Sequence, residues 1–246
     1  MAADEYLFAA AQRERATFLR FYRWERPTAS LGYSQDAARA ADLDFCRAKG
    51  IDIVRRMTGG KLVLHHRELT YSLASSDADV FTDTLRESYR RISLGLVRGL
   101  ELMGLDARLA PASPPAYARG TMPCFAFPAR DEVEIGGLKI VGSAQKRTGG
   151  AFLQHGSVPL ENDEDLLRGA ARSEGPDAGI RMTSLAEALG RPVAFAWAAE
   201  QLSLGLSGFF GVALEPLSLD GAAGEEIARI EAERYGDEAW TLGRKT

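Results

Sequence analysis

Short β-prone runs alternate with helical segments along the whole chain, and this order most constrains its fold. Apolar or alternating runs that end at Gly, Pro or polar clusters predict strands at residues 17–24, 28–33, 51–56, 62–64, 70–74, 131–135, 138–144 and 151–160. Periodicity and end signals predict helices at residues 36–49, 84–103, 184–190, 195–210 and 225–234. Because the two types mix without strict βαβ alternation, we expect an α+β fold with a mixed central β-sheet and packed helices.

Length and composition indicate one ordinary globular domain over residues 1–246. The chain has 246 residues, of which 46% are hydrophobic and 26% charged, enough to form a full core. Its apolar runs are too short for a bilayer, and Asp4 and Glu5 stand where a signal peptide is basic. We therefore expect a cytoplasmic protein with no membrane partner. A net charge of -4 argues against a nucleic-acid partner.

The two cysteines have different surroundings in the sequence. Cys46 stands in the predicted helix near Leu43 and Phe45, which is typical of a core position. Cys124 follows a Pro-rich segment, 111–121, that we predict to be a loop, and Lys139 follows it by fifteen residues. Cys124 is either a buried apolar residue or a nucleophile, because a nearby ammonium lowers the pKa of a thiol. No CxxC or HExxH spacing occurs, so no metal site is predicted.

Other polar features allow both a structural and a functional interpretation. Gly59 and Gly60 form either a tight turn or a place where a ligand lies against the backbone. His65 and His155 are either hydrogen-bonded structural residues or site residues, and His66 is expected to face solvent. Six basic residues form either a cationic rim or scattered surface charge. They are Arg55, Arg56, Lys61, Lys139, Lys146 and Arg147.

Taken in order, four segments resemble the biotin/lipoate protein ligase and octanoyltransferase family. They are Val54-Arg-Arg-Met-Thr-Gly-Gly60, Glu68-Leu-Thr-Tyr-Ser72, Gly137-Leu-Lys-Ile-Val-Gly-Ser-Ala-Gln145 and Leu153-Gln-His-Gly-Ser157. The likeness covers most of the chain, from a helix at residues 1–8 to residues 231–240. Within the family, Cys124-Phe125 fifteen residues before Lys139 resembles the cysteine-dependent octanoyltransferases of lipoate assembly.

The resemblance implies a transfer in two steps without a cofactor. Octanoyl-acyl carrier protein would acylate Cys124, and the octanoyl group would then pass to a lysine of glycine cleavage protein H or an E2 lipoyl domain. Lys139 would lower the pKa of the thiol, and nine other residues would bind the substrate. They are Arg56, Thr58, Gly59, Gly60, His65, Gly142, Ser143, Ala144 and His155.

Three alternatives remain open at this point. An ATP-dependent lipoate or biotin ligase would not need Cys124. An amidotransferase would use the same cysteine but move octanoyl or lipoyl groups between lipoyl-domain proteins. A non-enzymatic protein would only bind the carrier proteins. The resemblance also implies a strand before the first helix, which this sequence does not show, and the sequence shows no C-terminal accessory domain.

Overall fold

The computed structural model describes residues 1–81, 84–113, 129–172 and 180–243. Cys124 and the part of the predicted loop beyond residue 113 lie outside these ranges. Within them, no helix combines the length and the apolar character needed to cross a bilayer.

Helices and strands alternate irregularly, as the sequence predicts. The helices are α1 (Ala2–Glu14), α2 (Ala37–Ala40), α3 (Leu43–Lys49), α4 (Leu85–Leu102), α5 (Glu164–Ala170), α6 (Leu185–Leu189), α7 (Phe195–Phe210), α8 (Ala222–Ile230) and α9 (Glu238–Leu242). The strands are β1 (Thr17–Tyr22), β2 (Thr28–Leu31), β3 (Asp52–Arg55), β4 (Val63–His65), β5 (Glu68–Ser75), β6 (Ala107–Leu109), β7 (Val133–Ile135), β8 (Leu138–Lys139), β9 (Gly142–Thr148) and β10 (Ala151–Pro159).

The described strands form three sheets. The first sheet has the order β1-β5-β10-β9 and is antiparallel throughout. The second has the order β3-β2-β4, in which β2 runs parallel to β3 and antiparallel to β4. The third has the order β6-β7-β8 and is antiparallel. Mixed strand directions with helices packed on the sheets confirm the predicted α+β class.

Several helix ends follow local signals. The Thr84 hydroxyl accepts from the backbone N–H of Glu87 at the start of α4. Ser184 and Glu187 form a reciprocal capping box on α6, which ends at Gly190 with a φ of 65°. The bounds of α7 match the predicted 195–210. These ends are specified by residues within one turn of them.

Two predicted helices differ from the structure. The helix predicted at 36–49 is interrupted, because Ala41 is extended and bridges Ala171, and Asp42 caps α3 through the N–H of Phe45. The helix predicted at 225–234 starts at Ala222 as α8 and continues after Ile230 as a π-helical turn, Glu231–Tyr235.

The strand predicted at 138–144 is divided between two sheets. Its first part, β8, forms a hairpin with β7 in the third sheet, and Gly136 and Gly137 connect the two strands. Ile140 and Val141 then fill the core at 0% and 1% exposure, and β9 pairs with β10 in the first sheet. The β-prone runs at residues 62–64 and 70–74 also belong to different sheets, since β4 lies in the second sheet and β5 in the first.

The two central strands of the first sheet, β5 and β10, are buried along their whole length. One of their faces joins a core with α4 and α7, and the other packs on α1. The second sheet has a separate core with α2, α3 and α5. Cys46 lies in that core, as predicted, and burial raises the pKa of its thiol.

Candidate active site

A narrow cavity of about 20 Å³ lies between the first and second sheets. The second sheet contributes Ser30 and His65, and the first contributes Thr70, His155 and residues 142–144. A cavity of this size holds about one water molecule. An acyl chain therefore enters only if side chains of the wall move.

Most of the predicted substrate-binding residues meet at this cavity. Thr58 lies behind it and is hydrogen-bonded to His155, and Gly59 is held by Arg56. Six of the nine predicted residues form the wall itself, namely Arg56, His65, Gly142, Ser143, Ala144 and His155.

Arg56 shapes the wall of the cavity from a position that is 3% exposed. Its Nη1 donates to the carbonyl and hydroxyl oxygens of Ser30, at 2.8 and 3.1 Å. Its Nη2 donates to the carbonyls of Gly59 and Lys61, and its Nε donates to Gly59. These bonds use all five N–H groups of a guanidinium. Arg56 therefore fixes Ser30 and the loop that contains Gly59 and Gly60, which we call the glycine loop.

The glycine loop passes against the backbone of Gly32. A Cβ at Gly32 would lie 2.0 Å from the carbonyl oxygen of Gly60, so no side chain fits there. Gly60 has a φ of 90°, which favours glycine, and a Cβ at Gly60 would lie 3.7 Å from that of Ala144. The loop of Gly59 and Gly60 thus brings the second sheet onto β9.

His155 is held between two protein groups. Its Nε2 lies 2.6 Å from Oγ1 of Thr58, and its Nδ1 lies 3.4 Å from Oδ2 of Asp4. Asp4 also accepts from Arg20 and Tyr22, at 2.9 and 2.8 Å. Burial lowers the pKa of His155, while the hydrogen bond and charge of Asp4 act in the opposite direction. A neutral His155 with its proton on Nδ1 satisfies both contacts.

His65 is the centre of a second buried group. Its Nε2 lies 2.8 Å from Oγ of Ser30. Its Nδ1 lies 3.5 Å from both Oε1 of Glu68 and Oγ1 of Thr70. Trp24 stacks on the imidazole, with ring centroids 4.5 Å apart, and donates from Nε1 to Thr70. Two polar atoms near this end of the cavity, Oε2 of Glu68 and Oγ of Ser157, have no hydrogen-bond partner within the described ranges.

Ser143 is fixed from the side of the first sheet. Its hydroxyl lies 2.7 Å from the phenol oxygen of Tyr71, and that phenol also accepts from Nε2 of Gln154. Burial raises the pKa of Tyr71 to about 12, so the phenol stays protonated. The hydroxyl of Ser143 therefore has a fixed position in the wall.

Lys139 is fully buried at the end of β8. Its Nζ lies 2.7 Å from Oε2 of Glu132. Its backbone N–H donates to Arg181, and its carbonyl accepts from Thr183. Lys139 does not belong to the wall of the cavity, and Cys124 lies outside the described residues, so the predicted pairing of the two stays a prediction.

The interpretation of six basic residues as one cationic rim is wrong for half of them. Arg55, Arg56 and Lys139 are buried, and Arg55 donates from Nη1 to three backbone carbonyls and from Nε to two more near the C-terminal helix. These three side chains make their contacts inside the protein and do not belong to a surface rim. His66, expected to face solvent, is 27% exposed at its side chain and lies 2.5 Å from Oδ2 of Asp163.

Five residues of the site were not predicted from the sequence. Asp4 stands in the first turn of α1, where an acidic residue looks like an ordinary helix-end charge, and Ser30 is one small residue in an apolar strand. Glu68 gave a usable signal, because it is a carboxylate at the start of a strand that is otherwise uncharged. The other two are Trp24 and Glu132.

Comparisons with known proteins identify the family to which the chain is similar. Residues 1–207 match the lipoyl protein ligase A/B catalytic domain. An octanoyltransferase LipM from Symbiobacterium thermophilum is 38% identical over 98% of this chain and 93% of its own length. An octanoyltransferase LipM from Kyrpidia tusciae is 38% identical over 97% of this chain and 92% of its own length.

A solved structure confirms the expected fold. It is a T. acidophilum protein described as a lipoate protein ligase, with bound lipoic acid, and it superposes with a TM-score of 0.82 at 25% identity. The match covers 98% of this chain and 92% of that one. The chain belongs to the lipoyl protein ligase A/B catalytic domain family.

Proposed function

We propose that this protein is a cytoplasmic octanoyltransferase that works as a single catalytic domain. It takes an octanoyl group from acyl carrier protein as a thioester on Cys124 and passes it to a lysine of a lipoyl-accepting protein, such as glycine cleavage protein H or an E2 lipoyl domain. The observation that carries this proposal is the match, over nearly the whole chain, to two curated octanoyltransferases.

The geometry of the cavity supports an acyl substrate. Gly142 and Ala144 carry no bulky side chain on the strand that borders it, and Ser143 offers a fixed hydroxyl. Small residues allow a carbonyl to approach the backbone, and fixed donors stabilise the oxygen of a tetrahedral intermediate. The remaining substrate-binding residues that we propose are Arg56, Thr58, Gly59, Gly60, His65 and His155.

Lys139 has the role of raising the thiolate fraction of Cys124. A thiolate is the nucleophile in thioester exchange, and a neighbouring cation favours it. Glu132 keeps the Lys139 ammonium fixed in an interior that would otherwise favour its neutral form. Because thioester exchange is close to isoenergetic, the first step needs no ATP.

A lipoate ligase is the second candidate, since the T. acidophilum structure contains lipoic acid in the same fold. That candidate requires ATP and does not require Cys124. The two functions therefore differ in one observable, a covalent acyl adduct formed without ATP.

The test is intact-protein mass spectrometry after incubation with octanoyl-acyl carrier protein in the absence of ATP. We expect an octanoyl adduct on the wild type that hydroxylamine removes. Cys124→Ala should abolish the adduct, and Lys139→Ala should slow its formation. Cys46→Ala is the matched control, because Cys46 is buried in the core of the second sheet and should leave the adduct unchanged.

An adduct that persists in Cys124→Ala would contradict the assignment of the nucleophile. If the wild type carries no adduct but modifies the acceptor protein with lipoate and ATP, the ligase function replaces the transferase. A third incubation uses octanoylated glycine cleavage protein H as the only acyl donor. An adduct on Cys124 in that incubation, but not with octanoyl-acyl carrier protein, would indicate the amidotransferase.

A further inference from the structure

The second step of the proposed transfer needs a proton acceptor. A lysine side chain arrives as an ammonium at neutral pH, and it attacks a thioester only after it loses a proton. Two buried histidines border the cavity, and each has a hydroxyl at Nε2 and a carboxylate near Nδ1. Their surroundings differ in ways that separate their roles.

We propose that His65 accepts a proton from the incoming lysine through the hydroxyl of Ser30, and that Glu68 stabilises the imidazolium that results. This inference rests on the proposed function, because it assigns a role in its second step. Ser30 contacts the substrate, His65 is the proton acceptor, and Glu68 is a positioning residue.

The hydrogen bonds around His65 fix its tautomer. Thr70 receives a hydrogen bond from Nε1 of Trp24 and donates its own proton to Oε1 of Glu68 at 2.5 Å. Nδ1 of His65 therefore faces only acceptors, a hydroxyl oxygen and a carboxylate oxygen. The ring proton of neutral His65 must lie on Nδ1. Nε2 is then the unprotonated nitrogen, and it faces Ser30.

Ser30 connects this nitrogen to the cavity. Its oxygen accepts from Nη1 of Arg56 at 3.1 Å, and its own proton points to Nε2 of His65 at 2.8 Å. The second lone pair of the hydroxyl remains for a donor in the cavity. An amine N–H placed there passes its proton to the Ser30 oxygen while the Ser30 proton moves to Nε2.

A carboxylate and a guanidinium lie on opposite sides of the His65 ring. Glu68 of β5 lies near Nδ1, and Arg56 lies beside Ser30 at Nε2. Arg56 opposes a second positive charge, and Glu68 offsets that repulsion. Glu68 is 4% exposed, and its Oε2 has no hydrogen-bond partner in the described part of the chain. A His65 imidazolium beside it would offset the cost of burying this carboxylate.

His155 lacks these properties. The carboxylate beside it, Asp4, already receives hydrogen bonds from Arg20 and Tyr22. The hydroxyl on its Nε2 belongs to Thr58, which lies behind the cavity wall. His155 therefore holds the wall in place, and His65 has the route to the substrate.

The atoms of the second step balance. The lysine ammonium gives one proton through Ser30 to His65, and the free amine then attacks the thioester carbon. The new C–N bond forms, the C–S bond to Cys124 breaks, and the second proton leaves with the sulfur as a thiol. The imidazolium returns its proton to solvent before the next cycle.

The test separates the two half-reactions. The enzyme is first loaded with octanoyl-acyl carrier protein, the donor is removed, and H protein is added while the adduct is followed by mass spectrometry from pH 5.5 to 9. His65→Gln is incubated with the donor until it is fully loaded, because a change in the cavity wall can slow the first step, and a loaded variant also shows that it folds. Its transfer to H protein should be at least about 100-fold slower at pH 7, the usual size of a lost proton acceptor.

Glu68→Gln gives a readout that a purely structural role would not change. Without the carboxylate the imidazolium formed during the transfer is less stable, so transfer from the loaded enzyme should slow more than formation of the adduct. His66→Gln is the matched control, because His66 is the next residue and pairs with Asp163 away from the cavity. It should leave both half-reactions unchanged.

The outcomes are distinguishable. A loaded His65→Gln enzyme that transfers octanoyl at the wild-type rate overturns this inference and leaves the proposed function intact. A wild type that never acquires the adduct overturns the proposed function, and the inference falls with it. If His65→Gln does not fold, Glu68→Gln decides, and transfer from the loaded Glu68→Gln enzyme at the wild-type rate overturns the inference.

Discussion

Asp4 shows at the scale of one residue how a buried charge joins three elements. It lies on α1, is 1% exposed, and binds Arg20 and Tyr22 of β1 and His155 of β10. Burial alone would raise the pKa of Asp4, but the His155 hydrogen bond, the N-terminal ammonium and Arg20 together hold it well below its ordinary value. The ionised form is therefore the one that stabilises the fold.

We expect Asp4→Asn to lower the free energy of unfolding by about 2 kcal/mol at pH 7, the scale of a hydrogen bond to a charged group. An unfolded aspartate has a pKa of about 3.9, so the stabilisation is complete above that pH and is lost as the pH falls below it. Urea unfolding at pH 3, 5 and 7 should show the gap between wild type and variant closing in acid.

Asp44→Asn is the control, because the side chain of Asp44 is 88% exposed and pairs only with Arg47 on its own helix. It should change stability by less than about 0.5 kcal/mol at each pH. A gap between wild type and Asp4→Asn that stays constant down to pH 3 would show that the charge of Asp4 is not what stabilises the fold.

At the scale of elements, α4 and α7 pack backbone against backbone. A Cβ at Gly205 of α7 would lie 2.1 Å from the backbone N of Gly99 on α4 and 2.9 Å from the carbonyl oxygen of Gly95. Neither helix can move away without opening the core that they share with the first sheet. Glycine at this crossing sets the distance between the helices.

Gly205→Ala should therefore lower the free energy of unfolding by about 1–3 kcal/mol, the usual cost of overpacking. Gly208 lies one turn further on α7, and a Cβ there meets no atom within 4 Å. Gly208→Ala should raise stability by about 0.5–1 kcal/mol through helix propensity. Urea unfolding of both variants measures these changes in the free energy of unfolding. Changes of the same sign in the two variants would contradict the close packing of α4 and α7 at Gly205.

Elements also show what the sequence could and could not predict. The ends of α6 and α7 were predicted because their signals lie within the element, as with Ser184 and Glu187. The break after β8 was not, because residues 138–144 form one continuous β-prone run and only the core around Ile140 and Val141 interrupts it.

The site divides in the same way. The family resemblance pointed to His65, Arg56 and residues 142–144, but not to their partners. Asp4 and His155 are 151 positions apart, and Ser30 and His65 are 35 apart. Contacts over such distances depend on how two sheets pack, which no local pattern specifies.

At the scale of the whole molecule, the candidate site lies where two sheets with separate cores meet. One wall comes from β2 and β4, and the other comes from β5, β9 and β10. The cavity has room for about one water molecule, so an octanoyl group placed there contacts both sheets at once. A bound acyl chain then links the two halves of the molecule.

We expect hydrogen exchange to slow in both sheets when the enzyme carries the octanoyl group, because an acyl chain that contacts both sheets stabilises the arrangement that it binds. Hydrogen-exchange mass spectrometry of the loaded and unloaded enzyme should show protection in β2 and β4 as well as in β5 and β10. Cys124→Ala incubated with the same donor is the control. Protection confined to one sheet would contradict a site shared between them.

The stacking of Trp24 on His65 has a further consequence for light emission. An indole in contact with an imidazole loses fluorescence when that imidazole becomes a cation, because the cation accepts the excited electron. The chain has three tryptophans, and the other two, Trp197 and Trp240, lie on α7 and α9. The fluorescence of Trp24 should therefore report whether His65, in the wall of the cavity, carries a second proton.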